Sequence, residues 1–292
     1  MLFRSRLSSG RFADASEVLE EARALYREVE APSGLANALA YLGEARRLTC
    51  DYAAAEQAQL EALRIYEGQG DRRGQANAFG YLGQLRTLTG DLSGAAEALN
   101  RALSIRTELG NARGRAQSLT DLAQVRLATG GYADADRNLQ AALEIYRELG
   151  DQRGVGIGQT LLGQTQLRLG EQESAVRNIE EALALFRLIG ADGNELWALN
   201  HYAAAIAAGG DLDRALALHQ DALRTARELD EPDEEALALE GIGVIRLQSG
   251  DTEDAVAHLK QAQSIFDRVG MRLHGQRVEE RLDRIQLARQ ER

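Results

Sequence analysis

The chain has one cysteine, two prolines, one tryptophan and one lysine in 292 residues. A single thiol, Cys50, excludes a disulfide framework and a cysteine-based metal site. The lone lysine stands in His258-Leu259-Lys260-Gln261 with no glycines before it, so the phosphate-cradling loop of an ATPase is absent. The four histidines, His201, His219, His258 and His274, form no His-Glu-x-x-His pair or other zinc spacing. Gly154-Val-Gly156-Ile-Gly158 has the look of a dinucleotide loop, but no strand pattern precedes it. Spacing assembles no nucleophile–base pair. The expectation is a protein that is not an enzyme and uses no cofactor and no metal. No apolar run approaches the roughly 18 residues of a membrane span. Met1 to Arg6 begins no long apolar core of a secretory signal. A cytoplasmic, reducing location follows. The net charge is −11, so the clustered positive surface of a direct DNA or RNA binder is not expected.

What the chain does have is period. Gly34, Gly74, Gly114 and Gly154 recur every 40 residues, and Asn194 and Glu234 hold the same place in two further units. Six units follow one another without insertion: 34–73, 74–113, 114–153, 154–193, 194–233 and 234–273. A fixed period over this length signals stacked repeats. Within a unit the apolar residues fall three and four apart, as on helices. In the second unit they are Ala78, Phe79, Leu82, Leu85 and Leu88, then Ala95, Leu99, Ala102, Leu103, Ile105 and Leu109. Gly90-Asp91 separates the two segments, and Gly110 follows the second as a helix-ending glycine does. Each unit therefore reads as a helix–turn–helix hairpin.

Small residues recur at fixed places. Ala55, Ala95, Ala135, Ala175, Ala215 and Ala255 form one column. Gly43, Gly83, Ala123, Gly163, Ala203 and Gly243 form another. A glycine inside a helix costs roughly 1 kcal/mol against alanine, so its repeated use implies close packing. Residues 1–33 read as the second half of an earlier repeat, and 274–292 as a capping helix on Val278, Leu282 and Ile285. That accounts for 1–292 as one solenoid domain.

Phe79-x-x-Leu82-Gly83 followed by Ala95-x-x-x-Leu99-x-x-Ala102 resembles the tetratricopeptide repeat. The resemblance covers the whole chain in six in-phase copies. It departs from the family in carrying Arg46, Arg86, Arg126 and Arg246 where a tyrosine is usual, and in its longer period. This 40-residue form is similar to the sensor regions of bacterial SARP and STAND transcription regulators and to LGN-type adaptors. HEAT repeats share the period but leave the Leu-Gly and Ala columns unexplained. The resemblance implies an all-α fold: a right-handed superhelix, or α-solenoid, of antiparallel helix hairpins with the first helix of each lining a concave groove.

On that implied face the sequence divides in two. The early units offer Asn37, Tyr41, Asn77, Tyr81, Gln84, Gln117 and Gln124, extended by Gln164. Each side-chain amide carries an acceptor and two donors, enough to pair with an extended main chain. The later units turn apolar around Trp197, with Asn200 and His201 beside it. Tryptophan is enriched at interaction hot spots. These eleven residues are the candidates for contacting a protein or peptide segment. Gly154, Gly156 and Gly158, with Gln159 in place of Leu or Phe, predict a weak seam at 154–160. The expected function is a non-catalytic binding scaffold, or else the partner- or small-molecule-sensing part of a larger regulator.

Overall fold

The computed structural model describes residues 6–49 and 51–290, with side chains described at 15–47, 49 and 51–288. Cys50 and the Met1–Ser5 part of the leader reading lie outside the described residues. Among those residues the secondary structure is helical and no strand occurs.

The chain divides into two compact units, residues 1–130 and 131–292. The first unit holds α1 (Arg6–Glu28), α2 (Pro32–Leu48), α3 (Tyr52–Gln69), α4 (Arg72–Thr89), α5 (Leu92–Glu108) and α6 (Ala112–Ala128). The second holds α7 (Tyr132–Glu148), α8 (Gln152–Leu169), α9 (Gln172–Ile189), α10 (Asp192–Ala208), α11 (Leu212–Leu229), α12 (Pro232–Gln248), α13 (Thr252–Arg268) and α14 (Arg272–Gln290). Within each unit every helix packs on its sequence neighbours. The first helices of successive hairpins also touch: α2 with α4, α4 with α6, α8 with α10, and α10 with α12. This is the α-solenoid packing of antiparallel hairpins that the resemblance implied.

Local chemistry sets the helix ends. Asp71, Asp91, Asn111, Asp151, Asp211 and Asp251 each accept a hydrogen bond from a backbone N–H three residues on, capping the helix that follows. Helices therefore begin earlier than apolar spacing alone suggests, α4 at Arg72 rather than near Gln75. The turns need a left-handed residue. Gly70, Gly110, Gly150 and Gly190 supply it, with φ of 68, 64, 64 and 65°. Asp230 occupies the equivalent place at φ 58°, where a side chain costs energy.

The columns have physical partners. A Cβ on Gly83 would fall under 3.0 Å from Leu99, and one on Gly163 from Ile179 and the Ala175 carbonyl. Each glycine seats an apolar knob from the second helix while the backbones pass closely. Gly74 and Gly154 are glycine for another reason. The Tyr66 and Tyr146 rings lie against them. Where Ala226 replaces that aromatic, the matching position can carry Glu234.

The same packing explains the three glycines of α8. A Cβ at Gly154, Gly156 or Gly158 would collide with Tyr146, Phe186 or Leu143. Gln159 is buried and donates to the Glu181 carboxylate at 2.6 Å. At 154–160, where a weak seam is expected, α8 runs unbroken and its glycines receive large side chains. The division between compact units falls at Gly130 and Gly131.

Candidate functional site

Each unit presents a face made by its first helices. In unit 1, α2, α4 and α6 place Asn37, Asn77 and Gln117 in one exposed row. Tyr41 is 67% exposed. Tyr66 reaches from α3 to this row, and its hydroxyl donates to Asn37 Oδ1 at 2.8 Å. That bond holds the Asn37 side-chain oxygen and so fixes the orientation of its amide donor. Tyr81 and Gln84 on α4 and Gln124 on α6 are partly buried. Burial raises the Tyr81 hydroxyl above the usual phenol range, with Glu44 adding to the effect.

Charge also enters unit 1. Arg47 donates two hydrogen bonds to Glu44, at 2.9 and 2.7 Å. Asp121 is only 9% exposed and accepts from Gln84 Nε2 at 3.0 Å. Desolvation lifts Asp121 from 3.8 to about 6, against the pull of Gln84, Arg106 and Arg47. Arg106 takes the place that Tyr66 and Tyr146 hold in their repeats. It is buried and donates to Ser118 Oγ at 2.7 Å and the Gly114 carbonyl at 3.2 Å.

In unit 2 the face is apolar. Ile157, Leu167, Trp197, Leu237, Val244 and Leu247 are partly exposed along α8, α10 and α12. Trp197 meets His201 edge to face, ring centroids 5.2 Å apart at 84°. Desolvation pushes His201 down to about 3, helped by His274, Arg277 and His219, so its ring is neutral at pH 7. Gln164 is partly buried, and its Nε2 has no hydrogen-bond partner among the described residues.

Asn200 is placed differently from its neighbours. It is 3% exposed, beneath the face. Its amide donates to the Glu234 carboxylate at 2.8 Å and to the Glu234 carbonyl at 3.1 Å. Its Oδ1 lies 3.3 Å from His219 Nδ1. His219, 2% exposed, packs its ring on Gly241 and is fully enclosed. Burial drives His219 down to about 4 and Glu234 up to about 8. At pH 7 the network is uncharged, as an interior should be.

Spacing did not single out Asp121, Arg106 or the Glu44–Arg47 pair. It also stopped the columns at unit six. Continued by another 40 residues, those of Leu237, Gly241 and Val244 reach Arg277, Arg281 and Arg284 on α14. Among the described residues no group of three or more His, Cys, Asp or Glu could hold a metal ion. No described helix is long and apolar enough to cross a membrane.

Stacked hairpins whose first helices touch within each unit define a helical-repeat protein. The tetratricopeptide repeat profile matches residues 34–108, 114–187 and 194–268, and the chain belongs to that family. Each matched stretch spans nearly two of the 40-residue units. No curated protein matches by sequence. Among solved structures, NprR in complex with its cognate peptide NprX has a TM-score of 0.68 at 14% identity, covering 96% of this chain and 83% of that one. A Rap protein complexed with competence and sporulation factor has a TM-score of 0.62 at 14% identity, covering 99% of both. The STAND protein PH0952 from Pyrococcus horikoshii, with a tetratricopeptide repeat sensor, has a TM-score of 0.60 at 17% identity, covering 87% of this chain and 42% of that one. At such identities the likeness concerns the fold.

Proposed function

We propose that the chain is a non-catalytic scaffold that binds a protein or peptide segment on its first-helix faces, in the cytoplasm and without direct contact to nucleic acid. One observation carries the reading most: a half-exposed Trp197, the only tryptophan, stands on a row of otherwise apolar first-helix residues. Apolar area of that kind marks interaction surfaces. In unit 1 the exposed amides of Asn37, Asn77 and Gln117, with Gln84 and Gln124 beside them, offer main-chain hydrogen bonds to an extended segment. Tyr41 and Tyr81 add flat apolar area beside those amides. In unit 2, Gln164 extends the amides, with its Nε2 buried and without a hydrogen-bond partner among the described residues. Asn200 acts from below by fixing α10 against Glu234. The peptide-bound NprR and factor-bound Rap structures share this fold, which supports the same use here.

A pull-down with the intact chain, read by mass spectrometry, tests the proposal. Trp197→Ala and Asn77→Ala should each lose partners that the wild type retains. Equal capture by all three proteins would remove the face-binding account.

A second reading rests on the likeness to PH0952, a STAND protein with a repeat sensor. In it, the chain is the sensing part of a bacterial SARP- or STAND-type transcription regulator and detects a partner or a small molecule. An in-frame ATPase or DNA-binding region encoded with the chain would favour it. A thermal-shift screen with small metabolites tests the small-molecule version.

A further inference from the structure

The first-helix face of unit 2 does not stay apolar. Over one 40-residue step Leu237, Gly241 and Val244 on α12 give way to Arg277, Arg281 and Arg284 on α14. These three arginines line a cavity of about 810 Å³, together with Leu247, Thr252 and Ile285. Its volume lies in the range of ligand-binding clefts.

The charges in and around the cavity do not balance. Glu240, whose side chain is 7% exposed, engages Arg277 fully, with Nε–Oε1 at 2.8 Å and Nη2–Oε2 at 2.5 Å. Arg281 Nε then stands 3.9 Å from Glu240 Oε1, too far for a hydrogen bond. Arg284 reaches Glu280 only at 3.4 Å, and both are largely exposed. Burial holds Arg281 below the usual guanidinium range; Glu240 opposes this, and Arg277, Arg284 and Arg168 add to it. Three lining guanidinium groups thus face Glu280 and, behind Arg277, Glu240, and Arg281 stands beyond hydrogen-bond reach of the Glu240 carboxylate. In a chain of net charge −11 this is a local inversion of sign. An anion fits it, and guanidinium is the group best shaped to take a carboxylate with two parallel hydrogen bonds.

We propose that the α14 arginines bind an acidic residue of the segment held on unit 2, whose neighbouring apolar residues lie on Leu237, Val244 and Leu247. This deepens the binding function above and rests on it. It also gives the face polarity: apolar side chains toward α10, a carboxylate at α14. A basic segment is repelled at the cavity.

Selection of phage-displayed random dodecapeptides on the intact chain tests the proposal. Three baits are compared: wild type, Trp197→Ala, and an Arg281→Gln/Arg284→Gln double variant whose helicity is checked by circular dichroism. The wild type should enrich peptides with Asp or Glu beside large apolar residues, by about tenfold over the unselected pool. The double variant should lose the acidic preference and keep the apolar one, and Trp197→Ala should do the reverse. Peptides selected without acidic preference, or with the same preference on the double variant, overturn the arginine proposal and leave face binding standing. No peptide enriched on any bait removes both. Octanoate bound in an Arg281-dependent way, with no acidic peptide selected, assigns the cavity to a free acid and overturns the proposal.

Discussion

The two units are built from one hairpin and show two different faces. Ala55 and Ala95 in unit 1 and Ala135, Ala175, Ala215 and Ala255 in unit 2 are all fully buried. Gly83 in one and Gly163 in the other seat the same kind of knob. The face columns share nothing of this constancy. Asn77, Tyr81 and Gln84 on α4 correspond to Trp197, His201 and Ala204 on α10. Packing fixes the first set of columns and leaves the second free, so the fold makes no demand on the face proposed for binding. The buried polar groups diverge as well. Unit 1 encloses an acid, Asp121, among amides and arginines. Unit 2 encloses histidines and pairs Glu240 with Arg277.

The largest contrast is expected in the ion pairs. Glu240→Ala removes a carboxylate whose side chain is 7% exposed and which accepts two hydrogen bonds from Arg277, and should cost unit 2 about 2–3 kcal/mol, seen as a lower urea midpoint. Glu44→Ala in unit 1 removes the partner of Arg47 from a pair whose side chains are 28% and 25% exposed. Its cost should stay near 1 kcal/mol or below. Equal losses would contradict the difference in burial.

Binding comes next. Trp197→Ala should weaken a unit 2 ligand by about 2 kcal/mol, roughly thirtyfold. A single amide removed from unit 1, as in Asn77→Ala, should cost about 1 kcal/mol. Calorimetry on a recovered partner separates the two. A reversed order would place the dominant contact on unit 1.

Protons sharpen the comparison further. Asp121 is raised to about 6, so the folded state of unit 1 binds more protons than the unfolded chain between about pH 4 and 6. Its contribution falls as pH rises through that window. His219 and His274 are lowered to about 4 and His201 to about 3, so their contribution is lost as pH falls below about 6.5. Glu234, raised to about 8, opposes the histidines, one group against three. Going from pH 7 to pH 5, hydrogen exchange should quicken in unit 2 relative to unit 1. His219→Leu, matching Leu99, Leu139 and Leu259 in its column, should reduce that response. An unchanged response would show that His219 does not carry it.

The smallest effect is a turn. Asp230→Gly should stabilise unit 2 by about 0.5–1 kcal/mol, because Gly70 and Gly110 hold the equivalent place without a side-chain penalty. A destabilised variant would mean that the Asp230 side chain contributes an interaction worth more than the backbone strain.

The hairpin architecture and the small-residue columns were legible in the sequence because both follow from spacing, and spacing is what 40-residue period exposes. Helix starts were read late because an N-cap such as Asp71 begins the helix before its first apolar residue. The glycines of α8 looked like weakness because the rings that fill them, Tyr146 and Phe186, come from other helices. Asn200 was grouped with His201 by adjacency. One residue is a rotation of 100° on a helix, enough to turn it from the face to the interior. The arginine cavity was hidden by reading α14 only as a cap, when its columns continue the face.

Oxidative footprinting of the intact chain with a recovered partner tests the central claim most directly. The account expects Tyr41, Tyr81 and Trp197 to be protected, while Leu188, exposed on second helix α9, reacts as before. Protection at Leu188 with the three first-helix aromatics unchanged would contradict it.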